Sequence, residues 1–200
     1  MPFKPACIIA ISDSSFASLQ GGRSQCGHFL LLGDEARARG DAGKFSVIQW
    51  RSGRQRRVAR STFGAEMLAL ADAVDGGDYL RGMLFEMMRG GDPRLGETEG
   101  LAMRWATDSK DLYDALRREG AVVTAEKRLA LDVTVMKELL ERDRGFCHWV
   151  NANQMRRYLP SPTPSGLQVE LHIRSHSCQA ASRKSQAGFA TPRACKMCIS

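Results

Sequence analysis

The stretch IQWRSGRQRRVARSTFGAEMLALADA, residues 48 to 73, carries three signals in succession. It opens as the end of a β-branched and aromatic run, FSVIQW (45 to 50), which reads as a strand. It then passes through RSGRQRRVAR (51 to 60), basic and without a carboxylate, and enters a helix for which Ser61 or Thr62 is a good N-cap. The apolar stripe of that helix is Phe63, Met67, Leu70 and Val74, so a helix is expected to about Met88, with a break near Gly76-Gly77. Glu66 falls inside the stripe, three residues after Phe63. An unpaired buried carboxylate costs several kcal/mol or shifts its pKa, so a helix that aims one at the protein body needs a reason.

Upstream, CIIAIS (7 to 12) reads as a first strand ending in the turn-prone Asp13-Ser14-Ser15, and CGHFLLLG (26 to 33) as a second. Short links between the first three strands predict an antiparallel meander. Downstream, LAMRWAT (101 to 107) is a fourth strand and DSKDLYDALRR a short helix capped by Asp108. AEKRLALDVTVMKELLERD (125 to 143) is the clearest helix, and FCHWV (146 to 150) a fifth strand. Three strands, helix, strand, two helices and a strand imply crossovers and a mixed, helix-covered α/β sheet.

The later helix repeats the anomaly of the first, since Asp132 falls within its stripe of Leu129, Val133, Met136 and Leu140. Asp13 and Asp108 sit at strand ends, and in open α/β sheets ligands gather outside the carboxyl ends of adjacent strands. Taken singly, Asp13 reads as a turn residue, Asp108 as a helix cap, and Glu66 or Asp132 as a stripe-edge acid paired with an Arg. One cluster of acids holding hard divalent cations, Mg²⁺ or Mn²⁺, explains all four more economically.

Composition sets the outer limits. The chain has 200 residues, an ordinary 43% apolar fraction, a formal net charge of +7 and a pI near 9.3. That balance favours a polyanionic partner, with the Arg-rich segment either a solvated loop or a phosphate-binding element. No apolar run approaches a membrane span, and the start of the chain lacks a secretory signal, so an intracellular protein, in cytoplasm or nucleus, is expected. Six cysteines then read as reduced thiols, and no zinc site is expected from Cys195 and Cys198 with His172 and His176. Beyond residue 155 a Pro- and Ser-rich run leads into sequence without periodicity, expected as a disordered or irregular tail over 156 to 200.

The ordered set SDSSF, RSQCGHFLLLG, IQWRSGRQRRVARSTFGAEMLALADA and ATDSKDLYDAL resembles the ribonuclease H domain of copia-type retrotransposon Pol polyproteins. EKRLALDVTVMKEL is similar to the segment carrying that family's last acid, and HWVNANQM to its closing strand and turn. The resemblance covers residues 7 to 155, within a domain of 1 to 155. It implies a ribonuclease H-like five-stranded mixed sheet, strands one and four adjacent, with helices on both faces. It also implies cleavage of the RNA strand of an RNA·DNA hybrid, with reverse transcriptase and integrase as polyprotein partners. Asp13, Glu66, Asp108 and Asp132 would be the catalytic acids holding two metal ions roughly 4 Å apart. Arg51, Arg54, Arg56, Arg57 and Arg60 would meet substrate phosphates. The family's His two residues before the last acid is here Ala130, and RRYLPSP replaces its usual ending. The competing reading is a catalytically silent nucleic-acid-binding remnant.

Overall fold

In the computed structural model, described residues are 6–34, 43–89, 101–120, 126–142, 145–151, 168–171 and 178–179. The strands are β1 (Ala6–Leu19), β2 (Arg23–Asp34), β3 (Gly43–Arg54), β4 (Leu101–Thr107), β5 (Phe146–Trp149), β6 (Gln168–Leu171) and β7 (Cys178–Gln179). The helices are α1 (Thr62–Arg89), α2 (Lys110–Arg117) and α3 (Lys127–Arg142). β1, β2 and β3 form the expected antiparallel meander, and β4 and β5 add in parallel on the other side of β1. The order β3-β2-β1-β4-β5 is thus the mixed five-stranded sheet anticipated, with strands one and four adjacent. Two short segments extend its edges: β6 pairs with β3, and β7 with β5. The rest of the stretch from 156, with Cys195, Cys198, His172 and His176, lies outside the described residues.

Side chains alternate across the sheet, so each strand contributes to two cores. Ile8, Ala10, Leu30, Met103 and Trp105 meet Met67, Leu70 and Val74 of α1, Leu112 and Leu116 of α2, and Val133 and Met136 of α3. Cys7, Ile9, Ile11, Leu31, Phe45 and Ala106 form a second cluster on the opposite face, to which no described helix contributes. The three described helices therefore share one face, where helices on both faces were expected.

Three local expectations change. β1 does not end before Asp13; it continues beside β2, Asp13 opposite Gly27, and the turn falls at Gly21 and Gly22, whose φ values of 79° and 68° suit glycine. β3 runs on to Arg54, so Arg51 and Arg54 sit on a strand. α1 passes Gly76-Gly77 without a break. The reason is packing: a Cβ on Gly77 would lie 2.6 Å from Met103 Sδ, so the bare backbone lets α1 settle onto the sheet. Gly76 is roomier, its nearest neighbour Leu30 Cδ1 at 3.4 Å. Gly77→Ala requires the Met103 thioether to move aside, so it should be the less stable of the two variants despite alanine's helix propensity, whereas Gly76→Ala should be neutral or stabilising by up to about 1 kcal/mol. Urea unfolding of both variants checks the ranking.

Candidate metal centre

The centre is built where β4 stops and β1 does not. Their parallel register ends with Ser12 opposite Thr107, so Asp13 and Asp108 follow immediately on neighbouring strands. α1 supplies Glu66 from its second turn. Its start is fixed by Ser61, whose Oγ accepts from Gly64 N at 3.0 Å, and by Gln55, whose Nε2 donates to Ala65 O at 2.6 Å. Ligand oxygens of Asp13, Glu66 and Asp108 lie within 4.8 Å of one another. Among the described residues this is the one such group of three acids, histidines or cysteines.

Asp108 is not the cap of α2. Ser109 is, its Oγ accepting from Leu112 N at 3.4 Å, and this leaves the Asp108 carboxylate to the cluster. Two further bonds hold the Asp108 corner. Ser109 N donates to Thr107 Oγ1 at 3.2 Å, and the Trp149 indole Nε1 donates to Asp108 O at 3.0 Å. Sequence reasoning named neither Ser109 nor Trp149. A serine directly before KDLYDALR was a readable cap signal, but nothing local marks a contact with a residue 41 positions away.

The three acids differ in environment. Asp13 is exposed, Asp108 is half-buried and Glu66 is only 6% exposed. Burial pushes the Glu66 carboxyl up to about 7; adjacent Ser14 opposes this, and Asp108 and Asp13 reinforce it. Burial, then the charge of Asp13, also raises Asp108. Glu66 Oε2 is buried without a hydrogen-bond partner. Converging hard oxygen donors, crowded enough to resist ionisation and with one buried oxygen unmatched, fit a divalent cation of the Mg²⁺ or Mn²⁺ kind.

Asp132 lies elsewhere. α3 buries Leu129, Val133, Met136 and Leu140 as anticipated, but the Asp132 carboxylate is outside the group of three. Arg57 grips it, Nη2 to Oδ2 at 2.8 Å and Nη1 to Oδ1 at 3.5 Å. Of the other arginines, Arg51 approaches Asp72 and Arg60 approaches Glu126, both at 3.9 Å. Arg54 and Arg56 are exposed and, among the described residues, pair with no carboxylate.

No family model and no curated protein matches the sequence. Solved ribonuclease H1 domains resemble the fold. The enzyme from Halobacterium salinarum is 16% identical with a TM-score of 0.45, over 76% of this chain and 90% of that one. A compost-derived ribonuclease H1, solved with an RNA/DNA hybrid, is 13% identical with a TM-score of 0.44, over 74% and 87%. The N-terminal domain of a Mycobacterium tuberculosis protein is 12% identical with a TM-score of 0.44, over 74% and 84%. Among the described residues no helix is long and apolar enough to cross a membrane.

A carboxyl whose pKa is raised on folding adds nothing to stability once ionised. The folded state is favoured below the ordinary value of 4.5, and that advantage is lost as pH rises through about 7. Glu66→Gln removes the titration. At pH 8 the variant should be more stable than the parent by on the order of 3 kcal/mol, with the difference vanishing below about pH 4.5. Chemical denaturation across that range measures it.

Proposed function

We propose that this chain is a metal-dependent nuclease of the ribonuclease H type that cuts the RNA strand of an RNA·DNA hybrid. The convergence of Asp13, Glu66 and Asp108 at the end of the β1–β4 pair carries the reading. The three acids would hold Mg²⁺ or Mn²⁺, which when bound would activate water and stabilise the leaving oxygen. The chain's own contribution is placement: Ser109, Thr107 and Trp149 fix the Asp108 corner, and burial of Glu66 keeps its carboxyl poised near neutrality. Exposed Arg54 and Arg56 would meet backbone phosphates, supported by their having no carboxylate partner among the described residues. Origin in a copia-type polyprotein, with reverse transcriptase and integrase as neighbours, belongs to the same reading and rests on the sequence resemblance.

Asp132 would be the fourth acid, available to help hold a second ion. Its recruitment requires the Arg57 pair to open, and a backbone phosphate competing for Arg57 would open it. That same pair favours the second reading, a silent nucleic-acid-binding remnant, because Asp132 stands apart from the triad. A labelled hybrid decides between them. The nuclease should cleave it with Mg²⁺ or Mn²⁺, fall to background on Asp13→Asn, and keep hybrid binding in that variant. Binding without cleavage under either metal would establish the remnant.

A further inference from the structure

The two faces of the meander are unequal beside the metal centre. On the helix side Ser24, Cys26, His28 and Leu30 of β2 are buried, and Arg51 turns toward Asp72 of α1. The other side is buried at Ile11 and opens only toward Trp50, Ser52 and Arg54 of β3, and its cross-strand rows follow from the register. One row is Ile11, Phe29 and Trp50; the next is Asp13, Gly27 and Ser52; the third is Ser15, Gln25 and Arg54. Trp50 is 66% exposed, Ser52 and Arg54 are exposed, and Gln25 Nε2 donates to Ser52 Oγ at 2.9 Å, bracing the middle of the surface. Residues two strands apart are separated by roughly 10 Å and neighbouring rows by about 7 Å. By register Trp50 and Arg54 thus lie only a few nucleotide lengths from the Asp13 position at the edge of the metal centre.

A large indole left exposed on a sheet face, with an exposed arginine two rows along that pairs with no carboxylate among the described residues, has the composition of a stacking platform with a phosphate contact. Bases inside a duplex already have both faces covered by neighbours. An indole π-face therefore favours an unpaired base over one inside a duplex. We propose that the open part of the β2–β3 face binds a single-stranded segment flanking the hybrid, with an unpaired base stacked on Trp50 and its phosphate on Arg54. This rests on the nuclease reading for the identity of the duplex, but not for the stacking itself. The consequence is a preference for hybrids at junctions with single strand over blunt ones.

The test is binding by the full chain in EDTA, where metal-dependent cleavage is off. The ligands are a blunt RNA·DNA hybrid, the same hybrid with a short single-stranded overhang, that overhang made abasic, and the single strand alone. Stacking of one base predicts that the overhang tightens binding by at least about fivefold. Trp50→Ala and the abasic overhang should each erase that gain, Trp50→Phe should keep part of it, and blunt-hybrid affinity should hardly move. Trp fluorescence should be quenched by the overhang, and the quench should vanish in Trp50→Ala, which keeps Trp105 and Trp149. An overhang gain that survives Trp50→Ala, an abasic overhang that binds as well as an intact one, or a Trp50-dependent dimer in sedimentation would overturn the platform. Trp50-dependent single-strand binding without any blunt-hybrid binding would sink the hybrid reading and keep the platform.

Discussion

The parallel pairing of β1 with β4 stops at Ser12 and Thr107, while β1 continues along β2 to Leu19. That mismatch in length is the constraint on which the site depends. It leaves a notch at the carboxyl end of β4, with Asp13 on its long wall and Asp108 at the corner where the chain leaves the strand. The notch alone would be a solvated pair of acids, unremarkable at a sheet end. What changes its chemistry is α1, whose second turn brings Glu66 in from the apolar side.

The cost of that arrangement is electrostatic and local. Desolvation raises Glu66, and each neighbouring acid opposes ionisation of the next. A fold built only for stability gains nothing from three carboxylates within 4.8 Å, one of them with a buried oxygen unmatched. A ligand that brings two positive charges to the same spot would offset that cost. The surrounding bonds point the same way, since Ser109 takes the capping role that Asp108 would otherwise fill.

Much of this was legible in residues 45 to 73 and in the spacing of the strands. The Glu66 argument needed only the 3.6-residue period, because a carboxylate between Phe63 and Met67 stands out from an apolar stripe. The same argument placed Asp132 on the inner side of α3 but could not foresee Arg57, 75 positions earlier, closing on it. Extension of β3 through Arg51 and Arg54 was hidden for a related reason. On that stretch one face is polar and open and the other ends on Asp72, so no apolar alternation marks the strand. Helices on both faces came with the family resemblance, whereas placement by face is a tertiary fact that short amphipathic segments do not encode.

The central claim is that Asp13, Glu66 and Asp108 form one divalent-cation site held partly protonated by burial first and by the repulsion between its acids second. Calorimetric titration of Mn²⁺ at pH 6, repeated in buffers of different ionisation enthalpy, tests it through the protons released as well as the heat. The account predicts saturable binding that releases about one proton, chiefly from Glu66, and that disappears in Asp108→Asn. Binding that survives loss of Asp108, or that releases no proton, would contradict it.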